Sequence, residues 1–130
     1  MKISTKGQYA VRFMAELATS NNVVSLGAIA KNQGISVKYL EQIVSKLSKA
    51  GLIESSRGAN GGYKLAKDSK IISIKDILDT TGDTSSVTPC VGGKCNKAKC
   101  LARNVWTNLG EVIDNYLSGI SLNDLINKKI

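Results

Sequence analysis

The stretch Ser36–Gly51, SVKYLEQIVSKLSKAG, constrains the fold more than any other part of the chain. Leu40, Ile43, Val44 and Leu47 recur at i, i+3, i+4 and i+7, so a helix here carries one apolar stripe. Ser36 suits the N-cap, because its hydroxyl can accept from the free N–H groups of the first turn. Gly51 suits the position just past the helix, where glycine turns left-handed without steric cost. The other face carries Lys38, Glu41, Gln42, Ser45, Lys46 and Lys49. These are hydrogen-bonding and cationic groups suited to base edges and phosphates. Such a helix is either an ordinary solvated surface helix or one made to enter a DNA major groove. Its flanking segments favour the groove.

Upstream, Ser25 caps a second short helix, Leu26–Gln33, with Leu26, Ile29 and Ala30 inward and Gly34 as its stop. Two short helices joined by about three residues that include a glycine form a helix-turn-helix. In that unit the second helix is the one presented to the groove. Residues 5–19 form the helix before the pair. Val11, Met14, Leu17 and Ala18 make its apolar edge, Thr5 and Gln8 match a capping box, and Asn21 and Asn22 close it.

Downstream, Leu52–Arg57 and Gly62–Ala66 read as two strands. Asn60-Gly61 lies between them, and both residues tolerate positive φ, which is a hairpin signal. A hairpin directly after the recognition helix is a wing. Arg57 falls at its tip and Lys64 and Lys67 lie along it, within reach of phosphates or a minor groove. The plainer reading is a tight glycine turn with a solvated arginine. RGANGG is not a nucleotide-binding loop, because it lacks the G-x-x-x-x-G-K-[ST] pattern and precedes a strand.

Ser73-x-x-Asp76 opens a further helix, Ile74–Thr81, ended by Gly82. Residues 83–89 form a polar loop containing the only proline. Leu101–Ser118 is the longest helical pattern, with Leu101, Val105, Leu109, Val112, Ile113, Tyr116 and Leu117 on a stripe widened by Trp106. A stripe this apolar needs a large partner surface, so the helix either packs on its copy in a homodimer or folds back on its own domain. Ser121-x-x-Asp124 caps a last short helix. The expected fold is therefore mainly α with a small β-hairpin wing. It divides into a winged helix-turn-helix (1–67), a short helix with a cysteine-containing loop (68–100), and a dimerisation helix with a terminal short helix (101–130).

Charge follows the same division. The chain of 130 residues carries a formal +8, but residues 1–67 hold ten basic and three acidic side chains, and residues 68–130 eight and seven. A basic front half joined to a near-neutral back half fits a nucleic-acid-binding part and a separate sensing or assembly part. No run approaches the roughly 20 apolar residues of a spanning helix, and MKISTKGQ lacks the apolar core of a signal peptide. No membrane partner is expected, and the expected location is the cytoplasm, where cysteines are reduced, metal-bound or redox-active.

There are three cysteines, Cys90, Cys95 and Cys100, spaced C-x4-C-x4-C immediately before the long helix. Thiolates are soft anionic ligands used by iron–sulfur clusters and by zinc. Gly92 and Gly93 let backbone N–H groups approach sulfur, and Lys94, Lys97 and Lys99 favour thiolate over thiol. Zinc sites mostly use two separate C-x2–4-C pairs with a fourth Cys or His; this chain has no second pair and no histidine. The segment alone leaves iron–sulfur, zinc and free thiols open, with three of four corners supplied. An enzyme is not expected: there is no C-x-x-C, no histidine base and no nucleotide-binding loop, so a small redox enzyme built on these thiols is the weakest reading.

Together, MKISTKGQYAV, IS-x-x-YLEQ-x-x-x-x-L-x-x-AGL, RG-x-x-GGY-x-L, the three-cysteine segment, LARNVW and SLNDL resemble a bacterial winged-helix repressor family. It is the family of IscR, NsrR, RirA and CymR, and the resemblance covers essentially the whole chain. It implies a homodimer with crossed long helices and an iron–sulfur cluster, [2Fe–2S] favoured and [4Fe–4S] possible, that changes affinity for a partly palindromic double-stranded DNA operator. It implies iron–sulfur assembly, iron or stress genes as targets. It also implies DNA contacts by Glu41, Gln42 and Arg57. The full set of candidate contacts is Lys38, Tyr39, Glu41 and Gln42 on the helix and Arg57, Gly58 and Asn60 on the wing. Two departures bear on the fourth ligand. IscR-like relatives place a histidine where this chain has Arg103, which cannot ligate. NsrR-like relatives place an acidic ligand in the first helix where this chain has Gln8, a weak donor; Glu111, Asp114, water or a small thiol are the other candidates. A variant of the same reading is a thiol- or nitric-oxide-sensing repressor without a permanent cluster.

Overall fold

The structure is a computed structural model and describes residues 2–83, 87–88 and 100–130. Three helices come first: α1 (Thr5–Thr19), α2 (Leu26–Gln33) and α3 (Val37–Lys49). Strands β1 (Ile53–Ser56) and β2 (Gly62–Leu65) follow as an antiparallel hairpin, with Ile53 opposite Leu65 and Ser56 opposite Gly62. Then come α4 (Ile74–Thr80), α5 (Arg103–Ser118) and α6 (Leu122–Ile126). The mainly helical fold with a winged helix-turn-helix agrees with the sequence reading.

The stripe on α3 behaves as its spacing requires. Leu40, Ile43, Val44 and Leu47 are buried, against a core that includes Ala10, Phe13, Met14 and Leu17 of α1 and Ile29 and Ala30 of α2. Burying a Leu, Ile or Val side chain contributes about 1.5–3 kcal/mol, so the orientation of α3 about its own axis is strongly fixed. Ser36 accepts from the Tyr39 N–H at 3.1 Å, and Gly51 is left-handed at φ 75°, as anticipated. Ser25 and Gly34 do the same for α2. A hydrogen bond from Gln33 to Glu16 ties α2 to α1.

The start of α1 differs from expectation. Its cap is Ser4, whose hydroxyl accepts from Gly7 N–H at 2.9 Å; Thr5 already lies inside the helix. Gln8 does not close a box with Thr5 but donates through Nε2 to the Ile3 carbonyl at 3.2 Å. At the other end Ser20, not the asparagines, caps the helix by donating its N–H to Leu17 O. Phe13 and Ala10 occupy the centre of the buried face, while Val11 and Ala18 sit at its edge.

The hairpin connection also differs. The strands end at Ser56 and resume at Gly62, so residues 57–61 form the loop rather than an Asn60-Gly61 turn. The left-handed residue is Gly58, at φ 110°, and neither Asn60 nor Gly61 has positive φ. Gly61 is required for closeness instead: a Cβ there would strike the Ser56 carbonyl.

The last third of the chain returns to the same core. Capping boxes Ser73/Asp76 and Ser121/Asp124 start α4 and α6, and α4 ends one residue early, at Thr80. Ile74 N–H donates to Ile120 O at 2.9 Å and Leu122 N–H to Ile72 O at 2.8 Å, a short bridge between the approaches to the two helices. Ile72, Ile77 and Leu122 are fully buried in the cluster that holds α1 and α3, and α6 lies against α1. By contrast α5, which begins two residues later than expected, leaves Val105, Leu109, Val112 and Tyr116 between 43% and 63% exposed, and Leu101 ahead of it is 98% exposed. On its other side Gly110 is buried, Leu117 packs against the core, and Asp114 lies 3.7 Å from Lys75 of α4.

Beyond α4, Asp83 accepts from Ser4 N–H at 2.8 Å, Ser4 Oγ at 2.7 Å and Thr81 Oγ1 at 2.6 Å. Partial burial opposes its charge, but these bonds outweigh it and hold the carboxyl below its usual range. A depressed native pKa adds stability that is present above the unfolded value and is lost as pH falls through the native one. Asp83→Asn is therefore expected to destabilise the fold by about 1 kcal/mol at neutral pH, at the low end because the site is partly solvated. Denaturant titrations should show the gap to wild type persisting through the ordinary carboxylate range and closing only as pH falls below it.

Candidate nucleic-acid interface

The same packing that buries one side of α3 turns the other outward. Lys38, Glu41, Gln42, Ser45, Lys46 and Lys49 are all exposed. A 13-residue helix is about 20 Å long, enough to lie in a major groove about 12 Å wide. Tyr39 is half-buried, its ring edge-on to Tyr9 of α1 at 6.0 Å, and the Arg12 guanidinium lies 5.5 Å from the Tyr9 ring centre. Of the residues singled out on this helix, Tyr39 thus braces α3 against α1 as well as edging the exposed face.

Arg57, Gly58 and Asn60 are exposed at the end of the hairpin. Lys64 lies on β2 opposite Glu54 at 3.9 Å, with both side chains more than half exposed. An exposed pair at that distance contributes little, so Glu54 trims the local positive charge without immobilising Lys64. Lys67 lies beyond the end of β2, not along the strand. Between helix and wing, Leu26, Glu41, Val44, Ser45, Ser48, Lys49 and Tyr63 line one open groove. The helix residues and the hairpin therefore flank a common surface.

Sequence reasoning missed what sets the angle of the wing. Val24 and Tyr63 exchange two backbone hydrogen bonds of 2.9 Å each, so the connector before α2 is bridged to β2 at this one pair. The Tyr63 ring meets Phe13 edge-on at 6.3 Å. Gly62 makes this approach possible, since a Cβ at that position would strike the Val24 carbonyl, with Val24 C only 2.5 Å away. The run Gly61-Gly62-Tyr63 was the available signal, but it reads equally as turn chemistry.

Of the three cysteines, Cys100 is half-buried just ahead of α5, and Cys90 and Cys95 lie outside the described residues. Among the described residues no three His, Cys, Asp or Glu side chains are grouped to hold a metal ion. Gln8, the ligand candidate from α1, is exposed. The donor set itself fits a thiolate-held group, with three soft ligands in eleven residues and three lysines among them. Arg103 offers no fourth ligand.

Comparison with known proteins decides the family. The Rrf2 family model, described as an iron-dependent transcriptional regulator, matches residues 3–128. This chain belongs to the Rrf2 family. The HTH-type transcriptional regulator IscR of Vibrio cholerae is 41% identical over 130 residues, covering 97% of this chain and 75% of the relative. CymR, the global cysteine regulator of B. subtilis, superposes with a TM-score of 0.87 at 35% identity and covers 98% of each chain. IscR of T. potens gives 0.81 at 36% identity, over 100% of this chain and 89% of that one. As a member of this family, the protein is a transcriptional regulator. No helix among its described residues is long and apolar enough to cross a membrane.

The wing anchor gives a test that needs no DNA sequence. Gly62→Ala is expected to cost about 1–3 kcal/mol by overpacking against Val24. Amide hydrogen exchange at Val24 and Tyr63 should speed up, while the amides of α3 stay protected.

Proposed function

We propose that this regulator acts as a homodimer that sets α3 of each copy into successive major grooves of a partly palindromic operator. Its grip is tuned by an iron–sulfur cluster on Cys90, Cys95 and Cys100, and its targets are iron–sulfur assembly genes. The carrying observation is the outward polar face of α3 held beside an anchored wing, in a chain whose basic charge is concentrated in that half. Helix-turn-helix dimers read half-sites about 34–36 Å apart, one turn of duplex. The exposed stripe Val105, Leu109, Val112 and Tyr116, recurring every three or four residues, supports pairing through α5.

On this reading Lys38, Gln42 and Asn60 supply hydrogen bonds, Gly58 lets backbone come close, Arg57 contacts phosphate or a groove floor, and Tyr39 holds the register of the helix. Glu41 acts as selector: a carboxylate can accept from cytosine N4, and it is penalised where it faces an acceptor edge or a phosphate. The three thiolates would hold the cluster, with Gln8 Oε1 a candidate fourth ligand from the partner copy. A bound cluster supplies a link between thiolates that iron, oxygen or nitric oxide can make or break. The favoured form is [2Fe–2S], with [4Fe–4S] the other possibility.

A second reading, a thiol-sensing repressor without a permanent cluster, is favoured by Arg103 in place of a ligand and by the end-to-end likeness to CymR, a cysteine regulator. Anaerobic iron and sulfide analysis separates the two. A cluster regulator should carry both elements in the wild type and lose them in Cys95→Ala. Iron-free wild type that binds duplex differently after thiol oxidation supports the thiol reading.

The DNA contacts have their own signatures. Arg57→Ala is expected to weaken binding and lower the slope of log K against log salt by about one. Glu41→Ala should broaden the sequences recovered in a binding-site selection; an unchanged preference overturns its selector role.

A further inference from the structure

Polar contacts hold α4 at both ends, to different helices. Near its start, Lys75 binds Asp79 at 2.9 Å and reaches Asp114 of α5 at 3.7 Å. Past its end, the chain turns at Gly82, with φ 80°, and Asp83 N–H donates to Leu78 O at 3.2 Å. The Asp83 carboxylate then grips the head of α1, 79 positions away, through Ser4 N–H and Ser4 Oγ. Ser4 Oγ in turn caps Gly7 N–H. There is no slack in this clamp: a Cβ on Gly7 would strike Asp83 Oδ2 and stand 3.1 Å from Leu78 Cδ2. From the clamp, α1 continues to Tyr9, whose ring meets Tyr39 of α3.

In sequence, Asp83 lies seven residues before Cys90, and Cys100 lies three residues before α5. In sequence the cysteines therefore fall between Asp83 and α5, and both Asp83 and α5 contact α4. We propose that Asp83 is a positioning residue that carries the state of the cysteines to the recognition helix. This rests on the regulator reading above. A pull on the chain beyond Asp83 must either break the two hydrogen bonds from Ser4 to its carboxylate or move the head of α1. Because the interior is close-packed, a moved α1 takes α3 with it. The carboxylate converts a change in a distant segment into a tilt of the DNA-reading face. A purely structural cap would add stability and leave regulation alone, so the two roles predict different results.

The test is a coupling ratio. The DNA probe is a duplex recovered by the wild-type protein from a random library. Its Kd is measured for the full chain with native cysteines, anaerobically, and for a Cys90→Ser/Cys95→Ser/Cys100→Ser variant. Allosteric couplings are typically 5–150-fold, so the two wild-type values are expected to differ by about tenfold. With Asp83→Ala in both backgrounds the ratio should fall to within about twofold, with iron and sulfide content unchanged in the native-cysteine background. Gly7→Ala, which displaces the carboxylate without removing it, should do the same and serves if Asp83→Ala melts below assay temperature. A ratio that survives both substitutions overturns the proposal and leaves the regulator reading standing. A wild-type ratio near one overturns both.

Discussion

Everything at the proposed DNA-reading face depends on one side of α3 having nowhere else to go. Leu40, Ile43, Val44 and Leu47 sink between α1 and α2, and the helix cannot rotate without bringing them into water. That rotational lock, and not any feature of the polar residues, turns Glu41 and Gln42 outward together. The wing depends on the same core at one remove: Tyr63 rests on Phe13, which lies on the buried face of α1. Helix and hairpin thus share a foundation, and their relative angle is a property of packing.

Most of this was legible locally. The caps at Ser25, Ser36, Ser73 and Ser121 and the stops at Gly34 and Gly51 are short-range devices, readable from four or five neighbouring residues. Errors arose where two local solutions competed. Ser4 and Thr5 are both acceptable caps, and Asp83, 79 positions away, helps to select Ser4. Asn60-Gly61 suits a two-residue turn, but the register of Ser56 opposite Gly62 leaves five residues between the strands. Long-range contacts left no periodic trace, so neither the Val24–Tyr63 bridge nor the Asp83 clamp was visible. The division of the exposed and covered sides of α5 was only half visible. Its stripe was evident, but not that Leu101 falls outside the helix and Gly110 on its buried side.

The candidate site divides in the same way. The candidate residues on α3 appear where spacing placed them, because the helix has a strong hydrophobic constraint, whereas Arg57, Gly58 and Asn60 lie in a five-residue loop that the turn signal did not foresee. Tyr39 is the exception, since its ring also serves the contact with Tyr9. The thiol chemistry stands on residue type and spacing, with Cys100 half-buried beside the start of α5. That start has no side-chain cap, unlike every other helix among the described residues.

Leu122 has a consequence for how the protein is made. It is completely enclosed in the core that orients α3, and α6 lies along α1. A nascent chain has synthesised α1, α2, α3 and the wing long before this side chain leaves the ribosome. Until it does, the domain lacks an inner wall, and the exposed face of α3 stands on an open core. The proposed reading face is therefore held firmly only once Leu122 has been made and α6 has docked on α1.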